Sequence, residues 1–406
     1  MSRLKVVVIS WYAPDGMDAG ELVRLGHITA SFPNNAETAW LVVDANTVDE
    51  RNMDGYLTPS VTGNGHRYRV GGSDYLRAGL RLSAIEAHRL PRDRKLRHWV
   101  ARELDRLAPD VIWANQPFVW GLVPERWRDR TVIDTHNVNS TRLRRIAESG
   151  GWTPRGMVAR MQSALTRSFE RQYLAASART VVVSAEDRAA FQSISNTPPR
   201  TVVIPNGVVL DEDATTCQRS DGEPARLLFL GSLGYSANID ALRRLASWLS
   251  EAQLSRQDVL VTVAGSGPES LAQQLCEGHE SLCFVGRIDS VPNEMRVHHA
   301  LIAPHGQGGG SRIKVLEAFG NRLPVIGTAV AMEGSGAEPS IHFDHIEDAG
   351  GLRAATTRLA HHASVEVRVE NAWRLASTMQ WKSLSEHAWA EVQDVFHEMQ
   401  KRLETE

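Results

Sequence analysis

With 406 residues, 42% of them hydrophobic and 23% charged, the chain has the size and balance of a soluble globular protein with room for two domains. No stretch approaches the ~18 consecutive apolar residues of a membrane-spanning helix. Three cysteines without metal-ligand spacing, Cys217, Cys276 and Cys283, exclude a disulfide framework, and a cytoplasmic protein is expected.

The net charge of −3 hides an uneven spread: 28 Lys and Arg against 21 Asp and Glu up to Gly207, then 17 against 27. An anionic partner on the basic front half, or solvated helix faces, accounts for the asymmetry. The chain opens on MSRLKVVVIS, a short apolar run that reads as a buried strand and lacks a signal-peptide cleavage site. Apolar runs follow at Ala39–Val43, Asp110–Asn115, Thr131–Thr135, Arg179–Ser184 and Thr201–Pro205. They are continuous rather than alternating, as in strands covered on both faces of a parallel sheet. Between them the spacing is helical; in Arg92–Leu107, Leu96, Trp99, Val100, Leu104 and Leu107 share one side. That basic helix and the Arg142–Arg145 cluster are where the N-terminal half would meet anionic lipid or a phosphorylated acceptor, although the helix's apolar stripe is needed to cover the sheet.

The pattern pauses at Pro205-Asn206-Gly207-Val208 and the polar stretch Asp211–Glu223, the expected linker. It resumes with Arg226–Leu230, Asp258–Ala264, Leu282–Val285, Ala300–Pro304 and Leu323–Gly327, and ends in a helical tail. Two rounds of strand and helix predict an α/β protein of two doubly wound, Rossmann-like domains, residues 1–207 and 208–385, with a last helix, 386–406, returning to the first domain. Ligands are expected at the strand C-termini, in a cleft between the domains.

The richest segment is APHGQGGGSRIKVLEAFGNRLPVIGT, Ala303–Thr328. A buried strand is followed by Gly308, Gly309 and Gly310, then by a helix starting at Ser311. Glycines allow close backbone approach, and a helix start offers unpaired N–H groups, so the segment suits phosphate. Arg312 and Lys314 oppose the helix dipole at ~0.3–1 kcal/mol each, a cost that a bound diphosphate would reverse. Glu317, one turn on, would then accept from a sugar hydroxyl; a surface helix with a Lys314–Glu317 pair is the plainer alternative. No Gly-Lys-Ser/Thr follows, so this is no Walker loop, and AGSGPES (Ala264–Ser270) is only a weak dinucleotide signal.

The order PNGV (Pro205–Val208), FLGSLGYSANIDAL (Phe229–Leu242), VTVAGSGP (Val261–Pro268), FVGRI (Phe284–Ile288) and the triglycine segment resembles the C-terminal half of family-4 glycosyltransferases, retaining enzymes of the GT-B fold. ISWYAPDGMDAGELVRL (Ile9–Leu25) and DTHNVNSTRLRR (Asp134–Arg145) are similar to that family's N-domain motifs. The resemblance implies a nucleoside-diphosphate-sugar donor, with Glu317 on the ribose and Gly231, Ser232, Gly310, Ser311 and Arg312 beside the diphosphate. It also implies His136 reaching toward the transferred sugar and Gly20 lying against donor and acceptor. The chain departs from the family at Gly309, where many members have a second glutamate, and after Gly231, where many have a lysine. That leaves Arg312 and Lys314 to neutralise the diphosphate.

The acceptor is expected to be a small molecule or lipid-linked, with peripheral membrane contact through the N-terminal domain. Histidine spacing predicts no metal, and no cofactor is expected. A basic surface without interleaved aromatics argues against nucleic acid. A sugar-nucleotide epimerase on the same fold and a non-catalytic nucleotide-sugar binder remain as alternatives.

Overall fold

The computed structural model describes residues 4–13, 20–30, 32, 36–44, 57, 72–89, 94–195, 198–306 and 313–405. Its two compact units are Met1–Pro205 with Lys382–Glu406, and Asn206–Trp381.

The first unit runs β1 (Leu4–Ser10), α1 (Gly20–Ile28), β2 (Ala36–Val42), α2 (Gly72–Leu80), α3 (Ile85–Arg89), α4 (Arg94–Leu107), β3 (Val111–Asn115) and α5 (Pro117–Trp120). It continues through β4 (Thr131–Asp134), α6 (Asn139–Ser149), α7 (Pro154–Ala176), β5 (Arg179–Val182), α8 (Ala185–Ile194) and β6 (Thr201–Val203). The strands form one parallel sheet in the order β2-β1-β3-β4-β5-β6. Its continuous apolar strands have both faces covered, as such runs require. Val7, Ile9 and Ile112 pack with Trp99, Val100 and Leu104 of α4, while Ile133 and Val182 pack with Phe169 and Tyr173 of α7 and Phe191 of α8. Helix α7 starts where the sequence marks it: Thr153 caps it through Oγ1, which accepts from the Gly156 N–H at 3.2 Å, and Pro154 takes the first turn.

The second unit runs β7 (Ala225–Leu230), α9 (Ser236–Glu251), β8 (Val259–Ala264), α10 (Glu269–Cys276), β9 (Leu282–Gly286), α11 (Val291–Arg296), β10 (Ala300–Ala303) and α12 (Ile313–Gly320). It ends with β11 (Val325–Gly327), β12 (Asp344–His345), α13 (Ala349–Arg358) and α14 (His362–Ser377). The order is β12-β11-β10-β7-β8-β9, again all parallel. Adjacent residues of β7 serve opposite layers: Leu227 and Phe229 pack with α9 and α13, Leu228 and Leu230 with α12 and α14. The last helix, α15 (Trp381–Thr405), lies mostly in the first unit, where Trp389 meets Phe32 with ring centroids 5.4 Å apart and Glu398 pairs with Arg179 and Arg200.

Each sheet reverses its strand order once, between β1 and β3 in the first unit and between β7 and β10 in the second. In doubly wound sheets this reversal opens a crevice at the strand C-termini, and ligands bind there. No described helix is long and apolar enough to cross a membrane.

Candidate functional site

At the β7/β10 reversal, three loops and a helix meet. The Gly231 N–H donates to the Ala264 carbonyl at 3.0 Å and the Leu233 N–H to the Ser266 carbonyl at 2.7 Å, which knits the loops after β7 and β8 together. Gly265 has φ +153, and a Cβ there would lie 2.1 Å from the Gly231 oxygen, so backbone packs directly on backbone. Ser232 receives a hydrogen bond from Ser266 Oγ at 3.2 Å and is exposed at the loop tip.

Lys314, in the first turn of α12, reaches back across the strand ends. Its Nζ donates to the Leu230 carbonyl at 2.5 Å, to Asn238 Oδ1 at 3.2 Å and lies 3.2 Å from His305 Nε2. Asn238, in the first turn of α9, donates in turn to the Ser232 carbonyl at 2.9 Å. His305 follows β10, is fully buried, and stacks on Phe229 at an interplanar angle of 8°. Asn238 and His305 thus link the β7 loop to the head of α12, and sequence reasoning missed both. The signal for Asn238 was a polar residue at a helix position that faces the core. For His305 it was its place directly after a buried strand.

Glu317 is half-buried one turn after Lys314. Gly20 is the first residue of α1. Gly308, Gly309, Gly310, Ser311 and Arg312 lie outside the described residues. Among the described residues no group of three or more His, Cys, Asp and Glu is arranged to hold a metal.

In the first unit, the strand ends beside the β1/β3 reversal carry a second polar cluster. Asp134 closes β4 fully buried, and Arg24 of α1, 1% exposed, binds it through Nε at 3.1 Å and Nη2 at 2.9 Å. Arg24 Nη1 also donates to the Pro205 carbonyl at 2.9 Å. Burial pushes the Asp134 carboxyl up, but Arg24 and His136 together outweigh it and hold the group below the ordinary aspartate range. His136 follows, its Nε2 3.7 Å from Asp134 Oδ2 and its Nδ1 3.2 Å from the Gln116 amide. The sequence signalled His136 and Asp134, but nothing in it paired Asp134 with a residue 110 positions earlier.

The family model described as Glycosyltransferase Family 4 matches residues 57–212, and that described as Glycosyl transferases group 1 matches residues 224–361. No curated protein matches the chain in sequence. Among solved structures, sucrose-phosphate synthase from Thermosynechococcus elongatus superposes with a TM-score of 0.70 at 14% identity, covering 97% of this chain and 100% of its own. An α,α-trehalose-phosphate synthase (UDP-forming) from Burkholderia xenovorans, solved with glucose-6-phosphate, gives 0.66 at 13%, covering 96% and 100%. Anabaena HepE, solved with UDP-glucose, gives 0.64 at 14%, covering 96% and 100%. At these identities the superpositions show the fold, and the two family matches show the activity class. The chain belongs to the glycosyltransferases of the family-4 type, built on the GT-B fold of two Rossmann-like domains.

Proposed function

We propose that the protein moves a sugar, with retention of anomeric configuration, from a nucleoside-diphosphate-sugar donor held on the second unit to an acceptor taken on the first. The observation that carries this reading is the convergence of Gly231, Ser232 and Lys314 at the β7/β10 reversal, the crevice this topology uses for ligands, with Glu317 one turn further along α12. HepE was solved with UDP-glucose and the trehalose-phosphate synthase is a UDP-forming enzyme, which supports a donor of that class.

Gly310, Ser311 and Arg312 would seat the diphosphate, with Glu317 on the ribose. Since protein acceptors already surround the Lys314 ammonium, that residue contributes its charge and holds the β7 loop against α12. As the diphosphate departs, positive charge develops on the anomeric carbon and negative charge on the leaving oxygen. Arg312 and fixed N–H dipoles then bind the leaving group more strongly than the ground state, an effect typically worth ~2.7–4 kcal/mol per donor. His136, at the strand edge of the first unit, approaches the transferred sugar, and Gly20 borders donor and acceptor.

We place the protein in the cytoplasm and the acceptor among small or lipid-linked molecules. Exposed Leu76, Leu80, Leu82, Trp152 and Met157 support a peripheral membrane contact. Gly79 of α2 packs on Met161 of α7, and exposed Arg77, Arg81, Arg155 and Arg160 lie on or next to these two helices.

The test is release of nucleoside diphosphate from a panel of donors, with and without acceptor extracts and anionic vesicles. One donor is expected to turn over, and His136→Ala to bind it but not turn it over. Epimerised donor without transfer, or binding without turnover under every condition, would overturn the assignment.

A further inference from the structure

Gln116 directly follows β3 with φ 82 and ψ 140. That conformation belongs to glycine, and holding a side chain in it is a strain the surroundings must impose. The backbone does not need glutamine there. The Gln116 N–H donates to the Asp134 carbonyl at 3.0 Å and its carbonyl accepts from Val119 at 3.2 Å, and glycine would make both bonds without strain. What glycine cannot supply is the side-chain amide, placed 3.2 Å from His136 Nδ1.

The other ring nitrogen faces Asp134. Arg24 fixes the Asp134 carboxylate from one side, and His136 Nε2 stands 3.7 Å away on another, buried and beyond hydrogen-bond distance of any acceptor among the described residues. An ionised carboxylate only accepts, so the ring nitrogen turned to it carries the proton. A neutral imidazole protonated at Nε2 only accepts at Nδ1, and the group beside Nδ1 is then the Gln116 NH2. The Asp134 carboxylate sets this tautomer, and the Gln116 NH2, 3.2 Å from Nδ1, matches it.

We propose that Gln116 is a positioning residue: from a strained backbone at the β1/β3 reversal it fixes His136 as the Nε2–H tautomer, so that the histidine serves the reaction as a hydrogen-bond donor and not as a general base. The inference rests on the reading that His136 meets the substrate. An oxygen of the sugar, brought to the Nε2 edge, would take up the donor that no acceptor among the described residues satisfies.

The tautomer is read directly by long-range proton–nitrogen NMR of the full chain labelled with 15N-histidine, with the His136 signals assigned by their loss in His136→Ala. Wild type is expected to show a protonated Nε2 and a bare Nδ1. Gln116→Gly should melt no lower than wild type, because it relieves the backbone, yet show mixed tautomers and a kcat about tenfold lower at unchanged KM, the signature of a lost transition-state interaction. Gln116→Glu, which places acceptors at both ring nitrogens, should load His136 with two protons and lose activity without losing the fold. A wild-type ring protonated at Nδ1, or a Gln116→Gly enzyme with wild-type tautomer and kcat, overturns the proposal. A fully active His136→Ala would instead remove the role of His136 in the reaction, while the spectrum still decides whether Gln116 sets the tautomer.

Discussion

Single residues in this protein carry opposite electrostatic outcomes from similar burial. Asp134 is fully enclosed yet ionised, because the Arg24 fork meets it; deleting one partner of such a pair commonly costs ~3–5 kcal/mol. Glu170 of α7 is 2% exposed, and no cation among the described residues lowers its pKa. Burial pushes its pKa up to about 7, helped by Glu86 nearby and only partly opposed by the Ser140 N–H, which donates to Oε1 at 3.1 Å. The native state then holds a proton that the unfolded chain releases near pH 4.5, so stability falls as pH rises from about 4.5 to about 7 and is flat above. Glu170→Gln keeps the acceptor for Ser140 and removes the titration. Thermal melts are expected to show it more stable than wild type at pH 8, by on the order of 3 kcal/mol, and little changed at pH 4. Equal shifts at both pH values would show that Glu170 does not hold the proton.

At the scale of elements, eleven apolar runs in the sequence mark β1 to β11, because strands buried on both faces advertise themselves as uninterrupted Val, Ile and Leu. The twelfth strand, Asp344–His345, has two residues and no such signal. The loops were legible only in part. Glycine spacing pointed to the turn after β8, but not to the backbone contact that makes Gly265 necessary. That contact sets a graded expectation. Gly265→Ala combines φ +153 with a clash against the Gly231 carbonyl, and should cost ~2–3 kcal/mol and weaken donor binding. Gly151→Ala has a positive φ of +55 but open space around its Cβ, so chemical denaturation should find a smaller loss and unchanged binding. Equal losses at the two positions would show that φ alone decides.

For the whole molecule, the motif order along the chain revealed the two Rossmann-like sheets and the family, since each motif follows a strand and each strand sits where the topology requires. Hydrogen-bond partners far apart in sequence stayed hidden. Arg24 meets Asp134, and Lys314 meets Leu230 and Asn238, only through the strand order that brings their elements together. Neither periodicity nor composition encodes such pairings. Of the residues that sequence named for the donor, Gly231, Ser232 and Lys314 stand at the reversal of the second sheet with Asn238 and His305, which structure adds.

Titration of the protein with a panel of nucleoside diphosphates and their sugars, read by thermal shift, bears most directly on the proposed donor site. One donor is expected to raise the melting temperature progressively, as a ligand at ~100 times its Kd stabilises by about 2.7 kcal/mol. Glu317→Ala should need at least roughly tenfold more ligand for the same shift, a loss of ~1.4 kcal/mol. If no nucleoside diphosphate stabilises the wild type, or if Glu317→Ala responds as the wild type does, the β7/β10 crevice is not the donor site.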